Sequence, residues 1–267
     1  MRATLGAEPG RAAPLRRSAG VHLGDVPRVL LVGGLEPSGR AGLLADAEAV
    51  RARGGTPLVV AAAVTAQGRR TFCWRAVQPA LVAAQIHAVR ELGGIDAVKL
   101  GMLPGLAQLR AVQRALGGTR VPWVIDPVVQ ASSGGSLSGL GRRDYLALAA
   151  PGVWLTPNAV EAAWLLGVRR IAGAGESRRA AEILEALGFG GVVVKGGHLE
   201  GRTLVDVLAW KGRAREFRAA RLRRGPDHRG TGCRFASALA TELGRGTEAR
   251  RAVQRARALV RRTLASP

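Results

Sequence analysis

The run Gly230-Thr231-Gly232-Cys233, followed by small apolar residues over 235–243, is the most informative stretch of the sequence. Two glycines around a threonine allow a tight turn with exposed backbone amides, and the helix formers that follow predict a helix. A helix start offers unpaired N–H groups and the positive end of the macrodipole, which suit a phosphate group in transit. Cys233 would lie in the first turn, where a thiol pKa tends to fall. The run predicts an anion-binding loop with a candidate base beside it; the alternative is a glycine-rich helix start that only packs.

The length and composition predict one large α/β domain with an N-terminal extension. The chain has 267 residues, of which 47% are hydrophobic, enough to bury a full core over residues 28–267. Residues 1–27 are rich in Arg, Ala, Gly and Pro, so we expect a disordered extension rather than a secretory signal; an organellar transit peptide is the alternative. No apolar run approaches the ~18 residues of a membrane span. Two cysteines, Cys73 and Cys233, form no disulfide framework, which predicts a cytoplasmic protein.

The formal charge of +21 raises the question of nucleic-acid binding. The 40 basic residues are spread over almost every predicted helix, with modest concentrations over 213–224 and 250–262. Aromatic residues do not interleave with them, so a stacking platform for single strands is not expected. We therefore predict a solvated, arginine-rich surface that attracts anionic substrates, and no specific nucleic-acid partner.

Short apolar runs alternate with helical patterns along the chain. This alternation predicts βαβ units and a mostly parallel central sheet with helices on both faces, a three-layer α/β fold. Strands are expected at 28–32, 57–64, 96–102, 121–125, 153–156 and 192–194, with a hairpin over 203–210 and 214–220. Helices are expected at 43–53, 79–92, 106–116, 158–166, 177–187, 233–243 and 247–264.

Polar and glycine-rich groups follow the predicted strands repeatedly. Ligands bind beyond the carboxyl ends of the strands in such sheets, so these groups are expected to converge on one edge. They are Gly33-Gly34, Gln67, Gly101-Met102, Asp126 and Lys195-Gly196-Gly197.

These residues belong to a set of motifs that resembles a known family. The stretches are GLEPSGRAGLLAD at 34–46, TAQ at 65–67, DAVKLGML at 96–103, IDPVV at 125–129 with SSG at 132–134, LTPNAVEA at 155–162 and VKGGHL at 194–199. With the loop at 230–233, their order and spacing resemble the hydroxymethylpyrimidine/phosphomethylpyrimidine kinases of thiamine biosynthesis, within the ribokinase-like superfamily. The resemblance covers residues 28–243, nearly the whole chain without its extension.

The resemblance implies a pyrimidine site at the first half of the sheet edge. Polar contacts to an aminopyrimidine would come from Gly34, Asp46 and Gln67. Apolar contacts to its ring would come from Met102 and Val128. Taken alone, Asp46 and Gln67 would more often be ordinary polar residues at the end of a helix or strand.

The resemblance also implies ATP binding by the second half of the chain. Nucleotide contacts would come from Asn158, Lys195, Gly197 and Thr231. Asp126 and Glu161 would hold Mg²⁺ through water, which matches the sparse carboxylate sites that this ion prefers. The alternatives are a helix cap with its capping partner for Asn158 and Glu161, and a structural ion pair for Lys195.

The mechanism implied by the resemblance is phosphoryl transfer by positioning and charge neutralisation. The backbone amides of Gly230, Thr231 and Gly232, with that of Cys233, would hold the γ-phosphoryl group, while Cys233 accepts or orients the proton of the acceptor hydroxyl. The partners implied are a small-molecule pyrimidine and ATP, and homodimerisation is left open.

Several residues depart from the family pattern. The first loop has Leu35-Glu36 and Arg40, the run before the anion loop is Asp227-His228-Arg229, and Arg234 replaces a small hydroxyl residue. Arg40 and Arg234 would either add phosphate contacts or obstruct a pocket. The hypotheses are therefore a pyrimidine kinase, a pyridoxal-type kinase, a ligand-binding regulatory homologue without turnover, and a nucleic-acid-associated protein, in that order.

Overall fold

A computed structural model describes residues 26–68, 71–129, 138–222 and 229–265. The expected extension at 1–27 lies outside these ranges apart from its last two residues, as do Ser132-Ser133-Gly134 and Asp227-His228. Among the described residues, no helix is both long and apolar enough to cross a membrane.

A nine-stranded sheet runs through the described residues in the order β3-β2-β1-β4-β5-β6-β7-β8-β9. Its inner strands β2, β1, β4, β5, β6 and β7 are parallel, whereas β3, β8 and β9 are antiparallel to their neighbours. The strands are β1 (Arg28–Leu35), β2 (Thr56–Gln67), β3 (Phe72–Ala76), β4 (Ala97–Leu100), β5 (Trp123–Ile125), β6 (Val153–Leu155), β7 (Gly191–Val194), β8 (Thr203–Trp210) and β9 (Arg213–Ala220).

Eight α-helices cover the two faces of this sheet. They are α1 (Gly42–Ala52), α2 (Pro79–Glu91), α3 (Leu106–Ala115), α4 (Arg142–Leu146), α5 (Ala159–Leu166), α6 (Ala174–Ala186), α7 (Thr231–Gly244) and α8 (Ala249–Ala265) among the described residues. A short 3₁₀ helix, Gly196–His198, follows β7.

The two hydrophobic cores follow the alternation of side chains along β1. Leu30 and Val32 belong to the core that helices α2 to α6 cover. Val29 and Leu31 belong to the core that α1, α7 and α8 cover. Because successive strand residues point to opposite faces, one strand of apolar residues can support both layers. The predicted three-layer α/β fold is confirmed.

Two elements were missed by the sequence prediction, strand β3 and the short helix α4. Strand β3 has only five residues, is largely exposed, and is defined by antiparallel pairing with the end of β2. That pairing also extends β2 to Gln67, so this glutamine lies in the strand and not after it. Helix α7 begins at Thr231 and not at Cys233, since Gly230 forms its N-cap.

Candidate active site

A cavity of about 620 Å³ lies at the carboxyl edge of the parallel strands. It reaches from β2 to β8, six strand spacings apart in the sheet order, which is roughly 29 Å. Every residue predicted for the site lines this cavity: Gly34, Asp46, Gln67, Met102, Asp126, Val128, Asn158, Glu161, Lys195, Gly197, Gly230, Thr231, Gly232 and Cys233.

The loop before α7 is held in a conformation that glycine favours. Gly230 has φ 72° and ψ 14°, and a Cβ there would collide with the carbonyl oxygen of Arg40. Its own carbonyl accepts the first intrahelical bond from Arg234 N at 2.9 Å. The N–H groups of the first helical turn, from Thr231 to Cys233, have no carbonyl of the helix before them to bond. The glycine turn and the helix start that the sequence predicted here are therefore present at this edge, with their first amides free for a ligand.

The thiol of Cys233 does not have the low pKa that its position at a helix start predicted. Its pKa is raised to about 11, chiefly because burial removes water from the thiol; Asp46 and Asp126 also raise the pKa, whereas Lys99 and the Gly42 amide lower it. The expectation was wrong because it considered only the helix terminus, whereas the thiol lies in a desolvated pocket. At neutral pH the group is a thiol.

Asp46 lies at the floor of the cavity in a buried network. Its Oδ2 accepts from Lys99 Nζ at 2.7 Å and its Oδ1 accepts from Ser237 Oγ at 2.7 Å. Both charged side chains are 1% exposed. Burial is the largest single influence on the pKa of Lys99 and lowers it, but Asp46, Cys233 and Asp126 together raise it by more, so the ammonium stays charged. The two hydrogen bonds on separate oxygens are those of a carboxylate, which keeps further acceptor capacity toward the cavity.

Lys99 was missed as a site residue although it lies in the quoted DAVKLGML motif. The available signal was a lysine within the fully buried strand Ala97–Leu100, where an unpaired charge would be costly. Its partner is 53 residues away in the sequence, so no local pattern could identify it.

Gln67, Met102 and Val128 meet at the β2 end of the cavity. Met102 and Val128 pack with Ala63 and with two aromatic residues of β3, which gives this end an apolar wall. Gln67 Oε1 accepts from Arg229 Nη2 at 2.6 Å, and its Nε2 lies 3.4 Å from Thr65 Oγ1. A Cβ on Gly34 would lie 2.8 Å from Met102 Sδ, so a larger residue there would displace the Met102 side chain.

Lys195 and Asp126 form a second lysine–carboxylate pair under the loop. Lys195 Nζ donates to Asp126 Oδ1 at 2.7 Å, and Thr156 Oγ1 lies 3.5 Å from the same oxygen. A Cβ on Gly232 would lie 3.1 Å from Lys195 Nζ and 3.6 Å from Asp126 Oδ2. Lys195 thus has the structural partner that the alternative foresaw, while its ammonium remains close to the anion-binding loop.

Asn158 and Glu161 form the capping box that the sequence left as an alternative. Asn158 Oδ1 accepts from the backbone N of Val160 and of Glu161, both at 2.9 Å, and Glu161 Oε2 accepts from Asn158 N at 2.7 Å. Burial raises the pKa of Glu161 to about 7, Lys195 lowers it and Asp126 raises it. The carboxylates of Glu161 and Asp126 are therefore close enough to interact electrostatically.

The β8–α8 end of the cavity was not predicted as part of the site. Its wall is apolar, whereas its rim carries charged side chains that bond to one another and to the backbone. Arg257 Nε donates to Asp206 Oδ2 at 2.6 Å, and Asp206 Oδ1 accepts from Gly196 N at 2.8 Å. Arg221 donates to the carbonyls of Gly197 and Leu199. The lining residues at this end are Leu204, Asp206, Arg221, Leu222, Arg257, Val260, Arg261 and Leu264.

Arg234 does not point into the cavity, so neither of the two expectations for it is met. It is 8% exposed, and its Nη1 donates to the carbonyl oxygens of Arg40 at 3.0 Å and Arg229 at 3.2 Å. Its Nη2 pairs with Glu48 Oε2 at 2.6 Å. Arg234 therefore joins the first loop to the anion-binding loop, and neither obstructs the cavity nor supplies a contact within it.

Comparison with known sequences agrees with the motifs. The family model described as phosphomethylpyrimidine kinase matches residues 36–267. The hydroxymethylpyrimidine/phosphomethylpyrimidine kinase of Streptomyces coelicolor is 37% identical over 238 residues, 88% of this chain and 87% of that protein. The thiamine biosynthesis bifunctional protein ThiED of Geobacter sulfurreducens is 37% identical over 86% of this chain, which spans 47% of that longer protein. The resemblance expected from the sequence is confirmed.

Comparison with solved structures agrees with the fold. The crystal structure of an ADP complex of Bacillus subtilis pyridoxal kinase superposes with a TM-score of 0.77 at 25% identity. The match covers 88% of this chain and 90% of that one. The pyridoxal-type alternative is thus represented among the structural relatives.

The buried Lys99–Asp46 pair can be tested by stability measurements. Lys99→Met should lower the free energy of unfolding by about 3–5 kcal/mol, because it leaves the Asp46 carboxylate buried without its cation. Adding Asp46→Leu to Lys99→Met should recover much of this loss, since the pair is then replaced by apolar groups. Urea unfolding followed by circular dichroism measures both. Lys99→Met protein that is as stable as the wild type would contradict the pairing.

The state of Cys233 can be tested by alkylation. With iodoacetamide at pH 7.5, the exposed Cys73 should be modified well before Cys233, whose thiol is screened and has a pKa of about 11. In a Cys73→Ser variant, the rate at Cys233 should rise about tenfold per pH unit between pH 7 and 9, as the thiolate fraction rises. Mass spectrometry of peptides gives both rates. A rate of modification at Cys233 that is fast at pH 7 and does not change up to pH 9 would mean that its pKa is low.

Proposed function

The chain belongs to the phosphomethylpyrimidine kinase family, and we propose that it transfers the γ-phosphoryl group of ATP to 4-amino-5-hydroxymethyl-2-methylpyrimidine and to its monophosphate, in thiamine biosynthesis. The observation that carries this proposal is the continuous cavity along the sheet edge. The loop at 230–233 lies over its middle, beside Arg40 after β1, Asp126 after β5 and Lys195 after β7. Acceptor and donor can therefore approach one anion-binding loop from opposite ends.

The acceptor pyrimidine would bind at the β2 end. An aminopyrimidine offers an amine donor and ring-nitrogen acceptors, which suit the carboxylate of Asp46 and the amide of Gln67. The apolar wall of Met102 and Val128 suits the faces and the methyl group of the ring. Gly34 leaves the space for the ring beside the sulfur of Met102.

The nucleotide would bind toward the β8–α8 end. The apolar residues there suit an adenine base, and the arginines at the rim suit its phosphates. The amides of Gly230, Thr231, Gly232 and Cys233 would hold the γ-phosphoryl group as its charge develops. Lys195, whose ammonium lies close to Gly232, would add a fixed positive charge at that point.

Cys233 would act on the acceptor hydroxyl. As a thiol at neutral pH, it orients the hydroxymethyl oxygen toward the γ-phosphorus atom by hydrogen bonding. Lys99, which lowers the pKa of this thiol, favours the thiolate, and the thiolate accepts the proton that the hydroxyl loses as its oxygen bonds to the γ-phosphorus. Because phosphoryl transfer depends mainly on positioning and charge, a small fraction of thiolate at this place is sufficient.

Asp126 and Glu161 fit the requirements of a magnesium site. Mg²⁺ binds with one or two carboxylates together with water and phosphate oxygens, and the charge of Asp126 raises the pKa of the Glu161 carboxyl, so the two groups are near enough to share an ion through water. When bound, the ion would neutralise charge on the β- and γ-phosphates. Asn158 would hold Glu161 in place through the capping box.

The cytoplasmic location and the homodimer stay predictions.

A pyridoxal-type kinase is the second candidate, because the solved ADP complex with the same fold is a pyridoxal kinase. The sequence relatives at 37% identity are named for pyrimidine phosphorylation or for thiamine biosynthesis, which favours the pyrimidine acceptor.

ADP release with ATP and Mg²⁺ tests the proposal, with the pyrimidine, its monophosphate and pyridoxal offered in parallel. We expect turnover on the pyrimidines. Cys233→Ala should lower kcat on the hydroxymethylpyrimidine about 10²- to 10⁴-fold, the range for loss of a general acid–base group. Asp46→Asn should raise KM for the pyrimidine, because it removes a charged acceptor without changing size; it should also lower the stability, because the buried Lys99 ammonium loses its carboxylate.

Circular dichroism of each variant serves as the control for folding. Turnover on pyridoxal and on neither pyrimidine would mean that the protein is a pyridoxal-type kinase, the second candidate. Folded protein that binds the pyrimidine without forming ADP would instead favour the regulatory homologue. Salt-sensitive DNA binding that is unaffected by Cys233→Ala would favour the nucleic-acid-associated protein.

A further inference from the structure

Arg229 is a cation fixed at the acceptor end of the cavity. It immediately precedes the anion-binding loop and lines the cavity. Its Nη2 donates to Gln67 Oε1 at 2.6 Å, and its backbone carbonyl accepts from Arg234 Nη1 at 3.2 Å. Arg229 is therefore held both through its backbone and through its guanidinium, between the residue proposed to bind the pyrimidine and the loop proposed to bind the γ-phosphoryl group.

Among the residues that the structure describes, the charge of Arg229 is not paired with a carboxylate as the charges of Lys99, Lys195 and Arg257 are. Lys99, Lys195 and Arg257 each pair with a carboxylate at 2.6–2.7 Å. Within the ranges that the structure describes, Arg229 forms no ion pair, and its side chain bonds only a neutral amide. Arg221 and Arg261 also bond neutral groups, but they line the opposite end, beside β8 and α8.

The two acceptors differ in their need for such a cation. The hydroxymethylpyrimidine carries no anionic group, whereas its monophosphate carries a charge of about −2 near neutral pH. A guanidinium presents several N–H donors in a plane that matches phosphate oxygens. Only one nitrogen of Arg229 is engaged by Gln67, so others remain for a phosphate on the acceptor.

We propose that Arg229 binds the phosphate of the monophosphate acceptor and so determines how well the enzyme performs the second phosphorylation. This inference rests on the proposed function and specifies which residue makes the phosphorylated pyrimidine a substrate. The role belongs to this chain's own arginine, which stands where the motif pattern has a different residue.

The chemistry of the second transfer explains why a cation is needed there. An oxygen of the monophosphate dianion forms a bond to the γ-phosphorus of ATP, and the bond from that phosphorus to the β,γ-bridging oxygen breaks. ADP leaves with the bonding electrons, and the pyrimidine diphosphate forms without release of a proton. The obstacle is thus repulsion between two anions, which Arg229 reduces; the first transfer, from a hydroxyl, has to release a proton instead.

The test compares kcat/KM for the two acceptors, each supplied alone, in the wild type and in Arg229→Gln. We expect the value of kcat/KM for the monophosphate, divided by that for the hydroxymethylpyrimidine, to fall at least tenfold in Arg229→Gln. The fall in this ratio should be smaller in Arg229→Lys, which keeps the charge. Arg110→Gln is the matched control, since it removes one positive charge from an exposed position on α3 and should leave the ratio unchanged.

A second variant tests the charge without altering the arginine. Gln67→Glu places a carboxylate against the Arg229 guanidinium, so it should also lower the ratio, whatever its effect on pyrimidine binding. Equal losses on both acceptors in Arg229→Gln and Gln67→Glu would mean that Arg229 only positions Gln67, and would overturn the inference. An unchanged ratio would overturn it too. Wild-type protein that forms no ADP with either acceptor would instead overturn the proposed function itself.

Discussion

Two lysine–carboxylate pairs at strand ends, Lys99–Asp46 and Lys195–Asp126, are the interactions on which the site depends. Each joins Nζ to a carboxylate oxygen at 2.7 Å, and the first is almost completely buried. A charge in such a place is tolerated only beside its partner, so each pair fixes the position of both members. Both ammonium groups lower the free energy of negative charge beneath the anion-binding loop, where the transferred phosphoryl group is proposed to pass.

The topology brings these pairs together from distant parts of the chain. Parallel strands β1, β4, β5, β6 and β7 end at one edge, so residues that follow them converge although they lie far apart in sequence. Helix α7 packs on the face shared with α1 and α8, and its N-terminus projects over the same edge. Contact of Gly230 with the first loop and the bonds of Arg234 then fix the two loops relative to each other.

Local patterns predicted most of the fold, because buried strands, helix starts and glycine turns have short-range signatures. The family resemblance supplied many of the residues proposed for the site, but not Lys99, Arg229 or the β8–α8 end of the cavity. Local patterns did not predict β3, whose identity depends on pairing with β2. They also missed the partners of the polar groups, since Arg229 and Gln67 are 162 residues apart and Arg257 and Asp206 are 51 apart. The prediction of a low pKa for Cys233 was wrong for the same reason, because the burial that raises this pKa comes from tertiary packing.

The measurement that tests the central claim most directly is a crystal structure with hydroxymethylpyrimidine and a non-hydrolysable ATP analogue bound together. The account predicts the γ-phosphonate on the amides of the loop at 230–233. It also predicts the hydroxymethyl oxygen between that group and Cys233, and the base against α8. A nucleotide whose terminal phosphate lies away from this loop, with both ligands ordered, would contradict the account.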